Sequence, residues 1–182
     1  MGIARVIITE DCNRACKGCC NRYPRIMCQV QHTPDLRLLA GFDMILLTGG
    51  EPLLDPDRTL RLIAKLRKLT LATIYLYTAQ WTERMPEILE ATDGIQFSLH
   101  REATSTDIDD FVKVQEVVER YQKKSNRLYV DKAITGTVPI LPHVWKRVKV
   151  SKWLTEDELL NLQPRGLPWY ETLFKLIGDW DK

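Results

Sequence analysis

Residues 44–52 read MILLTGGEP, an apolar run that ends abruptly in two glycines, an acid and a proline. Because the run is apolar up to Thr48, it predicts a strand of a parallel sheet that is buried on both faces. Gly49 and Gly50 lack a Cβ, so the backbone there can turn tightly and approach a ligand closely. The alternative is a plain turn from a strand to a helix, with Asp57 as the later helix cap. The segment therefore predicts a central strand that ends at a ligand site or at a turn.

Strand-like and helix-like runs alternate in the rest of the chain. Further strands are predicted at residues 4–9, 73–78, 94–99, 127–134 and 147–150, and helices at 34–41, 57–69, 83–91, 106–123, 156–162 and 170–177. Thr33 is the expected N-cap of the first helix. The second helix is expected to bury an apolar stripe that consists of Leu60, Ile63, Leu66 and Leu69.

This alternation predicts an α/β fold in which a parallel sheet is covered by crossover helices. In such folds the catalytic and ligand-binding residues lie at the carboxyl ends of the strands. In this sequence the cysteines, the GGEP segment, Ser98 and His100 all lie at or after predicted strand ends. We expect residues 1–150 to form the core, and residues 151–182 to form a helical extension that packs on it.

The composition is that of an ordinary globular protein: 182 residues, of which 45% are hydrophobic and 27% charged, with a net charge of +2. The length suits one domain. No apolar run approaches the roughly 18 residues of a membrane span, and the acidic pair at residues 10–11 interrupts the apolar start where a signal peptide would continue. The expectation is a soluble cytoplasmic protein with no membrane partner.

All five cysteines lie between residues 12 and 28. A disulfide framework would spread its cysteines over the chain, so the cluster indicates a metal site in a reducing compartment. Cys12, Cys16 and Cys19 have the spacing C-x3-C-x2-C. Three thiolates can hold one face of a cubane iron–sulfur cluster and leave one iron open to a small molecule.

The other cysteines leave alternatives open. Cys20 adjoins Cys19 and could replace it as the third ligand, and Cys28 could be a fourth ligand. Zinc is the alternative metal, but it favours paired C-x2-C units or histidines, and the nearest histidine is His32.

C-x3-C-x2-C after a first strand, followed by GGEP after a second strand, resembles the signature pair of the radical S-adenosylmethionine (SAM) superfamily. The resemblance covers residues 3–100 well and the remainder weakly. It implies a partial (βα)6 barrel, possibly truncated, and a 4Fe–4S cluster held by Cys12, Cys16 and Cys19. It also implies that the open iron chelates SAM, and that a flavodoxin- or ferredoxin-type reductant supplies the electron that cleaves SAM to a 5′-deoxyadenosyl radical.

The resemblance also implies which residues contact SAM. Gly49, Gly50, Glu51 and Pro52 form the motif that binds its amino group in the family. Thr78, Ser98 and His100 lie at strand ends where family members place polar contacts to its carboxylate and ribose. Gly18 replaces the aromatic residue that usually precedes the third cysteine, so Tyr23 is considered as the adenine contact. Lys132 is a further residue that could point into the barrel.

Three functions remain open at the level of the sequence. The first function is that of a compact enzyme that acts on a small molecule or nucleotide and is similar to the carboxy-deazaguanine synthases. It is favoured by the sequence GGEPLL, by GIQFSLH at residues 94–100 and by a basic stretch. This stretch, residues 120–152, has nine Lys or Arg and one acid, which suits a phosphate-bearing substrate or an acidic partner.

The second function is that of an activating enzyme for a glycyl-radical protein such as anaerobic ribonucleotide reductase. It is favoured by the chain length and by the sequence KGCCN at residues 17–21. The third is a non-enzymatic iron–sulfur protein.

Overall fold

The computed structural model describes residues 2–153, 168, 170–178 and 180. Its strands are β1 (Ile3–Ile7), β2 (Gln31–Thr33), β3 (Met44–Thr48), β4 (Thr73–Thr78), β5 (Gly94–Leu99), β6 (Arg127–Asp131), β7 (Arg147–Ser151) and β8 (Glu171–Leu176). Its α-helices are α1 (Pro24–Met27), α2 (Pro56–Leu69), α3 (Met85–Ala91) and α4 (Ser105–Glu119). Short 3-10 helices occupy Cys20–Arg22, Leu36–Gly41, Pro52–Leu54, Lys132–Thr137 and Pro142–Val144.

All eight strands belong to one parallel sheet, in the order β2-β8-β1-β3-β4-β5-β6-β7. This confirms the predicted α/β class and the predicted parallel sheet flanked by helices. β2 and β7 are the two edges, so the sheet is open and is consistent with a partial α/β barrel. Parallel pairing brings the carboxyl ends of neighbouring strands to the same edge, which determines where the polar loops meet.

β3 lies between β1 and β4 and is buried on both faces, as its apolar run predicts. Ile45 and Leu47 are fully buried in the main core beneath the helices. Leu46 points to the other face, where it packs with Ile3 and Tyr75. The main core therefore lies on the helix side of the sheet, and the described residues of the opposite face form a small apolar cluster.

The N-terminal part of α2 is fixed by local capping. The carboxylate of Asp55 accepts a hydrogen bond from the backbone N–H of Arg58 (2.8 Å), and Pro56 occupies the first helical position. The buried side chains of α2 are Thr59, Leu62, Ile63 and Leu66. The predicted stripe was therefore wrong at Leu60, which is half-buried, and at Leu69, which is 41% exposed. The buried face includes Thr59 in place of Leu60, and it includes Leu62 in place of Leu69.

The start of the first predicted helix and the end of β6 also differ from the sequence predictions. Thr33 ends β2, where it pairs with Leu176, and the following turn is capped by Asp35, whose carboxylate accepts from Arg37 N–H (2.9 Å). β6 ends at Asp131, so Lys132 is not on the strand and its side chain is exposed.

The helix predicted at residues 170–177 was wrong, because this segment forms β8. It inserts between β1 and β2 and pairs in parallel with both. Leu173, Phe174 and Leu176 are buried. A short apolar run has no distinctive period, so sheet pairing decides its structure. The helix predicted at 156–162 lies outside the described residues.

No helix within residues 2–153, or in the later residues that the structure describes, is long and apolar enough to cross a membrane.

Phe174→Ala tests the position of β8. Phe174 is 4% exposed and packs edge-to-face on Phe42, with ring centroids 5.6 Å apart. Its truncation should lower the free energy of unfolding by about 3–5 kcal/mol in urea titrations followed by circular dichroism. Ile177→Ala, at a side chain that is 41% exposed, is the matched control and should change it by about 0.5 kcal/mol or less. Equal losses in the two variants would contradict the burial of β8.

Candidate functional site

A cavity of about 530 Å³ lies at the carboxyl edge of β1, β3, β4 and β5. Its lining includes nine of the residues singled out in the sequence: Cys12, Cys16, Cys19, Gly49, Gly50, Glu51, Thr78, Ser98 and His100. Pro52 lies outside this lining, as does Tyr23, which is buried. The volume is within the usual range of about 300–1,000 Å³ for sites that bind small molecules.

The cysteines meet at this cavity without forming disulfides. Cys12, Cys16, Cys19 and Cys20 all line it, whereas Cys28 does not. Burial, assisted by the nearby Glu102, Cys12 and Cys19 and opposed by the charge of Arg14, raises the pKa of the Cys16 thiol to about 11. In the part of the chain that the structure describes, no three Cys, His, Asp or Glu side chains converge closely enough to hold a single metal ion.

The glycine pair packs against the backbone that leaves β1. Gly50 N–H donates to Thr9 O (2.8 Å) and Glu51 N–H donates to Asp11 O (2.7 Å). A Cβ on Gly50 would lie 2.0 Å from Asp11 O, and one on Gly49 would lie 2.3 Å from Thr9 O. Gly49 also has φ +141°, a conformation that side chains disfavour. The close approach that the sequence predicted therefore includes the chain's own backbone, immediately before Cys12.

Four further hydrogen bonds hold the cysteine segment in place. Arg14 donates from Nη2 to Ala79 O (2.8 Å) and to the carboxylate of Asp107 (2.5 Å). The Asn13 amide donates to the side-chain oxygen of Gln80 (2.9 Å), and the Asn21 amide donates to Gly49 O. These contacts attach the segment to the ends of β3 and β4 and to the start of α4.

Asp107 is itself fixed by the capping box of α4. Its other carboxylate oxygen accepts from the N–H and the hydroxyl of Thr104, both at 2.8 Å. The helix start therefore positions the carboxylate that holds Arg14.

Glu51 is buried, and its carboxylate is occupied by protein donors. Oε1 accepts from Leu53 N–H (3.0 Å) and from the Thr78 hydroxyl (2.6 Å), and Oε2 accepts from Ala79 N–H (2.9 Å). Burial raises the pKa of Glu51, while these donors and the charge of Arg14 oppose the shift. Glu51 thus joins the ends of β3 and β4, and its contact with SAM stays a prediction.

His100 has an unpartnered nitrogen at the cavity. Its ring packs edge-to-face on Trp153, with ring centroids 4.1 Å apart. Nδ1 is buried and has no hydrogen-bond partner among the described residues, and the same is true of Arg14 Nε, on another residue that lines the cavity. Burial, assisted by the charge of Arg14, lowers the pKa of His100 to about 4. The imidazole is therefore neutral near pH 7.

Sequence reasoning missed several residues of the lining, including Arg5, Tyr77, Gln96 and Trp153. Arg5 and Gln96 each interrupt an otherwise apolar strand, and this was the available signal, because alternate side chains of a strand share a face. Trp153 had no such signal. It reaches the cavity because its backbone N–H donates to the buried carboxylate of Asp131 (2.9 Å) and its carbonyl accepts from Arg101 (3.0 Å).

Comparison with known proteins does not assign a function to this site. No protein-family model matches the chain, and no curated protein matches its sequence. The interpretation of the site therefore depends on its residues and their chemistry.

Gly50→Ala tests the backbone contact. The new methyl group would lie 2.0 Å from Asp11 O, so the segment before Cys12 must move, and we expect a loss of about 2–3 kcal/mol in the free energy of unfolding. Gly136→Ala is the control, since no described atom lies within 4 Å of the place that its methyl group would occupy. Urea unfolding measures both. Equal stabilities of the two variants would show that the strand ends do not require the glycine.

His100 should make the stability depend on pH. Its folded-state pKa of about 4 lies below its usual value, so the unfolded chain binds more protons between these limits. The contribution of the neutral His100 to the free energy of unfolding is complete above about pH 6.5, and it is lost as the pH falls towards 4. Over that range wild type should lose up to about 3 kcal/mol relative to His100→Gln, measured by urea unfolding at each pH. Parallel pH profiles would contradict the buried neutral imidazole.

Proposed function

We propose that this protein is a radical SAM enzyme in which Cys12, Cys16 and Cys19 hold a 4Fe–4S cluster. One observation supports this above all: the three cysteines and the glycine pair line the same cavity at the carboxyl edge of a parallel sheet. The two motifs are 30 residues apart, from Cys19 to Gly49, and are joined by backbone hydrogen bonds between residues 9–11 and 50–51.

The donor chemistry of the cavity suits such a cluster. Each thiolate of a cubane cluster binds a different iron atom, so a set of ligands that converges on one ion is not required. Arg14 lies close enough to Cys16 to stabilise its thiolate, which offsets part of the burial that raises the pKa of that thiol. Cys20 also lines the cavity, so it stays the alternative to Cys19, whereas Cys28 lies outside the lining.

When bound, a reduced cluster supplies the electron that splits the carbon–sulfur bond of SAM, giving methionine and a 5′-deoxyadenosyl radical that takes a hydrogen atom from a substrate C–H bond. The protein's own residues would bind and orient SAM beside the cysteines. The Thr48–Gly50 backbone and Ser98 line the space available to it. His100 would offer the unpartnered Nδ1 of a neutral ring.

Glu51 has a positioning role in this proposal. Because its carboxylate is held by three protein donors, it keeps the ends of β3 and β4 at a fixed separation beneath the bound SAM. Arg14 does the same for the cysteine segment through Ala79 O and Asp107. Both groups would thereby maintain the geometry of the site without touching the reacting atoms.

Small-molecule chemistry is favoured over activation of a glycyl-radical protein by a second cavity that adjoins the first. This cavity, of about 640 Å³, has Arg5, Tyr77, Gln96 and Trp153 in common with the cysteine cavity. A substrate bound there would lie next to SAM on the same face of the sheet.

Anaerobic reconstitution with iron and sulfide tests the proposal. The protein should bind about four irons and four sulfides per chain, with an absorbance that bleaches on reduction. Addition of SAM and dithionite should then release 5′-deoxyadenosine. Cys12→Ala and Cys16→Ala should lose both properties because each removes a thiolate that faces the cavity. Iron analysis, absorbance spectra and chromatography provide the readouts.

Cys28→Ala is the matched control, since Cys28 is exposed and outside the cavity lining, and it should behave as wild type. Comparison of Cys19→Ala with Cys20→Ala identifies the third ligand. Loss of the cluster in Cys20→Ala alone would correct the assignment to Cys20. A cluster that forms without any SAM cleavage would instead favour a non-enzymatic iron–sulfur protein.

A further inference from the structure

The second cavity is strongly basic. Five cationic residues line it, namely Arg5, Arg127, Arg147, Lys149 and Lys152, and no Asp or Glu is among the described residues of its lining. Three of the five come from β6 and β7, at the edge of the sheet. Of these five residues (together, the lumen cations), four belong to the basic stretch at residues 120–152, and Arg5 comes from β1. Lys146 belongs to the same stretch but does not line the cavity.

The sheet register places three of the lumen cations, Arg127, Arg147 and Lys149, in two adjacent rows. Arg127 lies opposite Arg147, and Gln96 continues this row onto β5. The next row, towards the carboxyl edge, contains Ser98, Tyr129 and Lys149. Since neighbouring strands are about 4.8 Å apart and residues two apart on a strand are separated by about 6.6 Å, the backbones of these three cations lie within about 10 Å of each other.

The acids within the described residues neutralise this group only in part. Asp131 is the one acid in the basic stretch, but it is buried and accepts from Ala133 N–H and Trp153 N–H, both within 2.9 Å, and from Arg101. Arg5 has a partner in Glu171 at 3.1 Å. Like charges placed directly opposite each other, such as Arg127 and Arg147, destabilise a sheet unless an anion offsets them.

Aromatic rings hold three of these cations in place, and one of the three is Arg5, whose guanidinium lies 5.4 Å from the centroid of Tyr77. The Arg127 guanidinium lies over the Tyr75 ring, 4.5 Å from its centroid, and Lys149 Nζ lies 5.4 Å from the centroid of Tyr129. Such contacts restrain the cations while leaving their N–H donors available to a ligand. Tyr77, Tyr129 and Trp153 add flat apolar surface to the lining.

We infer that this cavity binds a phosphate monoester of a small organic molecule, and that this is the substrate of the reaction proposed above. A phosphate monoester has about two negative charges near pH 7, and the guanidinium fork of Arg matches its oxygens. Held between Arg127, Arg147 and Lys149, the phosphate would lie about 10 Å, or two strand spacings, from Gln96. Gln96 lines both cavities, so the organic part extends towards the SAM site.

Calorimetric titration of the metal-free protein tests this inference independently of the cluster. Guanosine 5′-monophosphate and ribose 5-phosphate should bind, whereas guanosine should bind at least tenfold more weakly, because it lacks the charged group. Raising the ionic strength from about 0.01 M to about 0.15 M shortens the Debye length from about 30 Å to about 8 Å, so the affinity should fall several-fold.

Arg147→Gln and Lys149→Gln should each weaken the binding of guanosine 5′-monophosphate about tenfold, since each removes a charged donor. Both side chains are exposed at an edge strand, so folding should be retained and thermal unfolding checks this. Lys146→Gln is the matched control. It removes the same charge one residue away, outside the lining, and should bind as wild type.

If Lys146→Gln and Arg147→Gln weaken the binding of guanosine 5′-monophosphate equally, the inference is overturned. Such a result would indicate nonspecific electrostatic attraction instead of binding at a defined site. Equal affinities for guanosine and its monophosphate would overturn it as well. If reconstituted protein cleaves SAM but shows one of these two contradicting results, the inference of a phosphate monoester as substrate is wrong, while the proposed function stands. If the expected binding occurs in a protein that cannot cleave SAM, the phosphate site stands and the proposed function fails.

Discussion

The turn after β3 and the segment that leaves β1 approach so closely that neither Gly49 nor Gly50 can have a side chain. Two backbone hydrogen bonds, from Gly50 to Thr9 and from Glu51 to Asp11, join the segments across this gap. The first cysteine follows at once. The position of the thiolates therefore depends on a contact between two stretches of main chain, which any Cβ would separate. The neighbouring contacts of Arg14, Asn13 and Asn21 extend this attachment along the cysteine segment.

A second layer of support comes from buried and half-buried carboxylates whose oxygens accept hydrogen bonds from protein donors. Glu51 joins two strand ends, and Asp107 joins a helix start to Arg14. Asp131 similarly holds the backbone of Trp153 over the edge of the sheet. Each of these carboxylates has donors that leave it little capacity for a ligand. Two buried nitrogens of residues that line the same cavity, His100 Nδ1 and Arg14 Nε, have no partner within the described part of the chain, so unsatisfied polar groups occur beside the cavity.

The sequence was most informative where a pattern has one structural solution. The strands at 73–78 and 94–99 and the burial of β3 followed directly from runs of apolar and β-branched residues. Most of the site followed as well, because parallel strands bring their carboxyl ends together. The β8 segment was missed because its residues suit either a helix or a strand until β1 and β2 are available to pair with it. Trp153 could not be found at all, since its position depends on a buried carboxylate far away in the sequence.

The place of β8 also affects the order in which the molecule can be completed during synthesis. Residues 8–30, which include every cysteine, leave the sheet at β1 and return to it at β2. In the described sheet β2 joins the other strands only through β8, which is made about 140 residues later. A nascent chain that lacks β8 can already form the β1–β3 contact, but the far end of the cysteine segment has no strand to hold it. Until β8 has been synthesised, the cysteine segment therefore lacks the strand pairing that anchors its far end in the described sheet.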